Sequence, residues 1–458
     1  MYRAGLLAVL VTVCISMTHA QGTYHMMRYD DNYEYLRDSS NSDWYDKMKY
    51  TSLNKSRTDY LSVGGEVRYQ YFRFKNEDWG DAPTDEDGFT LSRYLVHADV
   101  HINQSLRMFV QLQSSLSDGR VGEIPSGERN ELDLHQAFAD LTLFRRHASA
   151  LYLRFGRQEM SYGASRLVSV REGPNNRQAF DGGKLLYVSP RFKADAFFTD
   201  YVAGKEGIFN DQVWNNNTRF WGTYFMWNDV SVIQNLDVYY LGIREKTSQW
   251  NDLEGRELRH SLGTRIFGKR ERVTYDFEGV YQFGNMASAK VEAWTLSSNA
   301  SYKLGNREES TSIGLKTEVI SGDRKRDDGK IQSFNPLFPR GAYFGYAALI
   351  GPSNIFDLHP SWSIPISKSF ESDVDYDLFW RYSSSDGIYS QDATMIYPAG
   401  SFRGKFIGHQ ISGNIEFVGS DHVFVRTEVT WFHAGEYLKT VGPGKDIFFI
   451  GITTRFRF

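Results

Sequence analysis

Apolar and polar residues alternate along most of this chain, and the last segment, residues 446–458, shows the pattern most clearly. One face carries Phe448, Ile450, Ile452, Thr454, Phe456 and Phe458, and the other carries Phe449, Gly451, Thr453, Arg455 and Arg457. Because successive side chains of a strand point to opposite sides, one face suits lipid and the other suits a polar interior. A chain that ends on such a strand is typical of an outer-membrane β-barrel, in which the last strand closes on the first.

The same alternation recurs upstream and predicts an all-β fold. It is clear in the segments 60–74, 90–102, 106–113, 273–283, 373–382 and 423–432. Segments of this kind predict a transmembrane antiparallel β-barrel of about 18 strands, each near the ~9–11 residues that cross a bilayer. The segments 184–189 and 363–370 are weak, so 16 strands is the alternative.

The connections between these segments alternate between short and long. Short ones fall at 103–105, 268–271, 305–309 and 419–421, and long ones at 75–88, 116–131, 158–183, 203–217, 322–355 and 384–405. Bacterial barrels have short periplasmic turns and long extracellular loops. If the first strand rises from the periplasm, each of these connections lies on its expected side and the last strand ends in the periplasm.

The amino-terminus resembles a secretory signal peptide, with Arg3 before an apolar stretch at 4–13 and the small residue Ala20 before the expected cleavage. Cys14, the single cysteine, lies in this segment, so we expect neither disulfides nor thiolate sites in the mature chain. No later apolar run is long enough for a spanning helix. We divide the chain into a signal peptide at 1–20, a periplasmic or barrel-mouth lead-in segment at 21–59 and a transmembrane β-barrel at 60–458.

The strand faces that point inward carry both signs of charge. The basic residues are Arg68, Arg93, Arg107, Arg154, Lys316, Arg381 and Arg426. The acidic residues are Glu66, Asp99, Asp276, Glu278, Glu318, Asp373, Asp375, Asp377, Glu416 and Glu428. The row of three aspartates at 373, 375 and 377 fits either a calcium site or a solvated lumen face.

The long connection at 158–183 is rich in residues that can bind charged or polar ligands. Four arginines, Arg157, Arg166, Arg171 and Arg177, follow Arg154 within a short stretch, beside Asn175 and Asn176 and several glycines. A guanidinium group offers a planar fork for carboxylates, and amides can bond sugar hydroxyls. We expect this loop to fold into the lumen and to line its narrowest part; the alternative is that the arginines pair with lumen carboxylates and fix the loop in place.

The run GRQEMSYGASRLVSVREGPNNRQAFDGGKL, at 156–185, resembles the signature of the alginate export family of outer-membrane proteins. The resemblance implies a monomeric eighteen-stranded barrel whose arginine-rich constriction guides a polyuronate chain outward. The matching positions are Arg157, Arg171, Asn176, Arg177 and Asp181. Together with the inward arginines, the expected substrate-binding residues are Arg154, Arg157, Arg171, Asn176, Arg177, Asp181, Arg68, Arg93, Arg381 and Arg426. The mixed charge of the lumen departs from what a polyanion pore should show.

We therefore expect a channel in the bacterial outer membrane for an anionic polysaccharide or oligosaccharide such as alginate, with a general or other-substrate porin as the alternative. An outer-membrane barrel enzyme is the rival class, but the sequence contains no nucleophile elbow or zinc-spaced histidine pair. No catalytic residue, metal ligand or cofactor is expected. The expected partners are the saccharide, outer-membrane lipid and the barrel assembly machinery; the net charge of −4 predicts no nucleic acid, and we expect a monomer.

Overall fold

Eighteen antiparallel strands form a closed barrel in the computed structural model, which describes residues 24–38, 43–307 and 309–458. The strands are β1 Tyr60–Lys75, β2 Phe89–Ile102, β3 Leu106–Asp118, β4 Asn130–Arg146, β5 Ser149–Gln158, β6 Phe180–Val188, β7 Phe192–Tyr201, β8 Thr218–Val230, β9 Gln234–Trp250, β10 Leu253–Arg270, β11 Val273–Met286, β12 Ala289–Lys303, β13 Ser312–Ile320, β14 Ile355–Pro365, β15 Phe370–Arg381, β16 Phe406–Val418, β17 Val423–Ala434 and β18 Ile447–Arg457. Each strand pairs with its neighbours in the chain, and β18 pairs with β1. The predicted barrel of 18 strands is confirmed, and the alternative of 16 is wrong.

Short elements add to the barrel in the described part of the chain. Two-residue strands extend its sheet at Thr51–Ser52 and Lys330–Ile331, and a separate hairpin pairs Ile388–Tyr389 with Met395–Tyr397. The helices are α1 Trp44–Lys49 and α2 Glu436–Val441, with 3₁₀ turns at Arg28–Asp30, Glu34–Asp38 and Glu77–Gly80. Among these described elements, no helix combines the length and the apolar character needed to cross a membrane.

The barrel strands present one apolar face outward and one polar face inward. On β2 and β3 the outward Val96, Met108 and Val110 are exposed, whereas the inward Arg93 and Gln111 are buried. The strand register keeps residues of the same face side by side along this pair of strands. The outward apolar side chains form the lipid-contacting surface that a membrane barrel requires.

The carboxy-terminal strand closes the barrel. In the register of β18 against β1, Arg457 lies opposite Glu66. Phe458 extends the pairing, because its N–H donates to the Gly65 carbonyl at 3.0 Å and its carbonyl accepts from the Gly65 N–H at 2.8 Å. A Cβ atom at Gly65 would lie 2.6 Å from the Phe458 ring, so glycine lets the terminal ring lie directly against β1.

The long connections all lie at one end of the barrel, after odd-numbered strands. They cover 76–88, 119–129, 159–179, 202–217, 321–354, 382–405 and 435–446. Two further connections at that end, 251–252 and 287–288, have only two residues, so the predicted alternation of short and long is wrong there. The φ angles of Asn251 and Ala287 are 53° and 47°, the left-handed geometry typical of tight hairpins.

Part of the segment 24–38 packs into the barrel at the end with the short turns. Tyr29 is 4% exposed, and its ring centroid lies 6.0 Å from that of Phe109 and 5.3 Å from that of Phe138. Tyr24 Oη lies 3.0 Å from Nδ1 of His422, which belongs to a short turn. The lead-in segment thus reaches into the barrel mouth, whereas the expected signal peptide at 1–20 lies outside the described residues.

The apolar core lies inside the barrel, between the long loops and the wall. Val168 of the loop 159–179 pairs with Phe338 of the loop 321–354. The wall residues Phe180 and Phe220 pack on Phe338, with ring centroids 4.9 and 5.0 Å away. These contacts fix the two loops to each other and to the wall.

Candidate functional site

The loop 159–179 crosses the inside of the barrel and is held at both sides. Arg166 forms ion pairs with Glu278 on β11 at 2.8 Å and with Glu318 on β13 at 3.2 Å. Asn175 is fully buried and donates to the backbone oxygen of Ser92 on β2 at 3.1 Å. Since β2 and β11–β13 lie on different parts of the closed sheet, the loop spans the lumen between them.

A cavity of about 520 Å³ lies beside this loop. Strands β1 to β5 and β17 and the loops 159–179, 321–354 and 382–405 contribute to its wall. Its arginines and carboxylates are Arg120, Arg157, Arg171, Arg177, Arg426, Glu77, Glu128, Asp133, Asp211, Asp392 and Glu428. The two signs of charge nearly balance, as the sequence predicts, and the volume falls in the range of small-molecule sites.

Two of the expected binding arginines pair with aspartates on neighbouring strands. Arg157 lines the cavity, and its Nε lies 2.8 Å from Oδ1 of Asp181. Arg154 Nε lies 2.7 Å from Oδ1 of Asp140, and its guanidinium lies 4.2 Å from the centroid of the Tyr29 ring. Arg154 therefore faces the amino-terminal segment rather than the cavity.

Three more of the expected arginines converge on one loop carboxylate, Glu172. Arg93 Nη2 lies 2.6 Å from its Oε1, Arg177 contacts its Oε2, and Arg68 donates to its backbone oxygen at 2.6 Å. Arg177 also binds Glu159 at 2.5 Å. Burial opposes ionisation of Glu172, but the charges of Arg93, Arg177 and Arg68 hold its pKa well below the ordinary value. Arg68 and Arg93 anchor the loop to the wall, and Arg177 joins two acidic residues within the loop.

Asn176 uses its amide group to hold a neighbouring loop. Its Nδ2 donates to the backbone oxygens of Ser126 at 2.6 Å and Arg129 at 3.1 Å. Its Oδ1 has no hydrogen-bond partner among the described residues. The residue lines the cavity, but this oxygen is buried, so the side chain holds the neighbouring loop.

The last two expected arginines lie in different environments. Arg381 is fully buried and donates to the carbonyls of Phe402 at 2.8 Å and Gly404 at 2.7 Å, so it holds the loop 382–405 and does not line the cavity. Arg426 lines the cavity, and its Nε lies 2.6 Å from Oε2 of Glu428.

Arg171 differs from the other arginines of the cavity. Four of the five are ion-paired, whereas the described residues provide no ion pair and no side-chain hydrogen bond for Arg171. Its φ is 56°, a left-handed conformation that costs about 1–3 kcal/mol for a non-glycine residue. Burial raises the pKa of Asp392, but hydrogen bonds from Ser390 and the charge of Arg171 outweigh this effect and hold that pKa below its ordinary value.

Sequence reasoning missed Arg120, which also lines the cavity. Its guanidinium forms ion pairs with Glu77 at 2.8 Å, Asp85 at 3.3 Å and Glu128 at 2.6 Å. These partners come from two separate loops. The sequence shows an arginine in a long acidic connection, but it does not show that two such loops fold against each other.

The inward aspartates of β15 do not share one environment, although Asp375 and Asp377 both contact His359. Asp373 accepts from Ser363 at 2.6 Å, Asp375 lies 2.9 Å from Nε2 of His359, and Asp377 accepts from Gln410. The row as a whole does not surround a single point, so it does not form the calcium site that its spacing allows.

The fold and the charged lumen define a channel of the bacterial outer membrane rather than an enzyme. The family model described as alginate export matches residues 59–446. The chain belongs to the alginate export family, and the resemblance seen in the sequence is confirmed.

Solved structures with a similar fold include three porin-like proteins of Pseudomonas aeruginosa. The structure of OpdK with vanillate has 10% identity and a TM-score of 0.58, covering 87% of this chain and 98% of that chain. That of OccK2 (OpdF) in complex with glucuronate has 11% identity and a TM-score of 0.57, covering 87% and 97%. That of OccK3 (OpdO) has 10% identity and a TM-score of 0.55, covering 87% and 95%. At these identities the likeness shows the fold, and the comparison with curated proteins gave no match.

Proposed function

We propose that this channel passes an anionic polysaccharide or oligosaccharide, such as alginate, and that Arg171 contacts its carboxylates. The observation that carries the proposal is the guanidinium of Arg171, which lines the cavity without an ion pair in the described structure. A carboxylate that enters the cavity would supply the missing charge and hydrogen-bond acceptors.

The loop that carries Arg171 holds this side chain at a fixed position in the cavity. It crosses the lumen and is anchored on both sides by Arg166 and Asn175, so Arg171 is presented from a fixed backbone. Fixed charge in a narrow, partly dry passage is less screened than charge on an open surface. Arg171 can therefore bind a carboxylate at its own position in the cavity, although the charges of the cavity as a whole nearly balance.

The remaining expected residues receive different roles in this proposal. Arg157 and Arg426 would line the anion path while staying paired, and Asn176 would hold the loop 119–129 beside it. Arg154 supports the amino-terminal segment. The others position the loops: Arg177, Asp181, Arg68, Arg93 and Arg381.

The comparison with OccK2 is compatible with this substrate class. Its structure contains glucuronate, which is a uronic acid, as are the units of a polyuronate. The near balance of charge around the cavity favours a second candidate, a porin that admits small solutes of either sign. We also propose that the barrel is a monomer, that lipid surrounds its apolar face and that the barrel assembly machinery recognises its aromatic carboxy-terminus.

Planar bilayers containing the purified protein test the proposal. We expect oligouronates to block the ion current at lower concentration than neutral oligosaccharides of equal length. Arg171→Gln should weaken this block about tenfold, because a charge-assisted hydrogen bond contributes about 1.5–3 kcal/mol. The control Arg191→Gln removes the same charge from an exposed side chain in a short turn and should change nothing. Equal block by neutral and acidic sugars would favour the general porin and contradict the proposal.

A further inference from the structure

Three potential metal ligands converge in the barrel wall beneath the loop 321–354. Asp357 and His359 lie on β14, and Asp377 lies on β15 beside them. One ligand atom from each of the three lies within 4.8 Å of the others. Asp357 and Asp377 are both fully buried. The cluster lies outside the cavity, whose lining includes none of the three residues.

The converging atoms lack the partners that buried charged groups require. Neither carboxylate oxygen of Asp357 has a hydrogen-bond partner among the described residues, and the same holds for Oδ1 of Asp377 and Nδ1 of His359. His359 Nδ1 and Asp377 Oδ1 are in contact, without the geometry of a hydrogen bond. A buried carboxylate with no partner is costly, and buried charges are normally paired or bound to a metal.

The surrounding groups orient the cluster as they do in metal sites. His359 Nε2 lies 2.9 Å from Oδ1 of Asp375 and donates its proton there. With Nε2 bound to Asp375, Nδ1 faces the Asp357 and Asp377 carboxylates, and a metal ion that binds there would displace any proton on Nδ1. A carboxylate on the far nitrogen of a ligating histidine is the common arrangement around protein-bound metals. Gln410 holds the other oxygen of Asp377 and donates to the backbone oxygen of Phe344 at 2.6 Å.

Among the described residues, no protein cation lies within ion-pair distance of Asp357. Lys316 lies nearby, opposite His359 in the strand register, and is the candidate for such a pair. Its Nζ lies 3.7 Å from Glu318 and donates to the backbone oxygen of Tyr343 at 3.3 Å. Within the described residues, no ion pair joins Lys316 to Asp357.

We propose that Asp357, His359 and Asp377 bind one divalent first-row transition-metal ion such as Zn²⁺. One imidazole and two carboxylates form a nitrogen and oxygen donor set of the kind that zinc accepts, with water able to complete the coordination. The ion would join β14 to β15 and, through Gln410, support the loop 321–354 at Phe344. The sequence reasoning, which expected no metal ligand, did not consider His359 because two of its partners lie on the adjacent strand.

Direct binding to the full-length mature protein tests the site. Protein stripped with EDTA is titrated with ZnCl₂ and, separately, with CaCl₂ by calorimetry. We expect one Zn²⁺ per barrel, bound more tightly than Ca²⁺. Asp357→Asn and His359→Gln should each weaken binding about tenfold or more, since even outer-shell partners of metal sites contribute that much. Asp373→Asn, on β15 outside the cluster, should bind as the wild type does.

A second pair of histidines serves as a control. His409 and His433 lie with ring centroids 5.3 Å apart on neighbouring strands, and such a pair can bind zinc adventitiously. His433→Gln should leave the affinity unchanged. A site that is lost in His433→Gln but kept in Asp357→Asn would overturn the proposal, as would the absence of Zn²⁺ binding at about 1 mM.

X-ray absorption on the zinc-loaded wild type gives an answer that does not depend on the folding of any variant. We expect a zinc shell with one imidazole nitrogen and otherwise oxygen donors. A shell with two imidazoles would place the ion at the His409–His433 pair and overturn the proposal.

Discussion

Several buried arginines of the lumen form ion pairs with buried carboxylates. Arg93, which is fully buried, binds Glu66 at 2.7 Å and Glu172 at 2.6 Å, and Arg177 lies between Glu159 and Glu172. Removing one member of a buried ion pair leaves the other charged and dry. The loop 159–179 therefore depends on its arginines for its position, and replacing several of them at once would disturb the fold as well as the selectivity.

Arg177→Met should destabilise the folded barrel by about 3–5 kcal/mol, because Glu159 and Glu172 lose their shared cation. Urea unfolding in lipid vesicles measures the effect. The matched control is Arg191→Met, whose partner Asp229 lies 3.6 Å away with both side chains exposed, so its effect should stay below about 1 kcal/mol. Similar losses in the two variants would contradict the structural role given to Arg177.

Lys49 makes the docking of the amino-terminal segment sensitive to pH. It is fully buried in α1, and its Nζ donates to the Val63 carbonyl at 3.0 Å. Burial, together with the charge of Arg28, lowers the pKa of Lys49 to about 7. The unfolded lysine keeps a pKa near 10.4, so between about pH 7 and pH 10 the undocked state binds more protons. The stability of the docked segment should therefore rise with pH across this window.

Limited proteolysis of residues 24–59 at pH 7 and pH 9 measures this dependence, with rates normalised to an unfolded peptide of the same sequence. We expect stronger protection at pH 9 in the wild type and equal protection in Lys49→Met. A wild-type slope that survives in Lys49→Met would assign the pH dependence to another group.

At the scale of elements, two segments fill the lumen from different directions. The loop 159–179 crosses from the wall, and the amino-terminal segment enters from the end with the short turns. They meet where Arg177 donates to the backbone oxygen of Met26 at 2.9 Å and where Tyr29 donates to that of Glu159 at 2.9 Å. The amino-terminal segment therefore contacts the loop at Arg177, which lines the cavity.

Tyr29→Ala should increase the single-channel conductance, because the segment loses the ring that anchors it between Phe109 and Phe138. The matched control is Tyr35→Ala, which changes the same residue type in the same segment at a position that is 54% exposed. Planar bilayers provide the measurement. Equal conductance in both variants and the wild type would show that the segment does not limit the current.

The strands could be predicted from the sequence, but the partners of the loops could not. Alternation such as that of Phe448 to Phe458 follows from the membrane, which imposes one apolar face on every strand. The pairing of Arg166 with Glu278 and Glu318 joins positions more than a hundred residues apart, and no local pattern encodes it. For the same reason the sequence did not distinguish among the ten expected binding residues. In the structure most of them hold loops in place. Among the cavity arginines, only Arg171 lacks an ion pair with the described residues.

At the scale of the whole molecule, a closed barrel holds a charged interior in place. The sheet has no free edge, because β18 pairs with β1, and the loops 159–179 and 321–354 fold into the lumen. The rigid wall fixes the ion pairs, the ion pairs fix the loop 159–179, and the loop presents Arg171 to the cavity. Membership in the alginate export family and this arrangement together support the proposal that the channel passes acidic saccharides selectively.

Flux into liposomes tests that claim most directly. Vesicles containing the protein are exposed to an oligouronate and, in parallel, to a neutral oligosaccharide of the same length, and the amount that enters is measured over time. We expect faster entry of the oligouronate in the wild type and a smaller difference in Arg171→Gln, with folding and insertion unchanged. Equal entry of the two sugars in the wild type, or entry of the neutral sugar alone, would contradict the proposal.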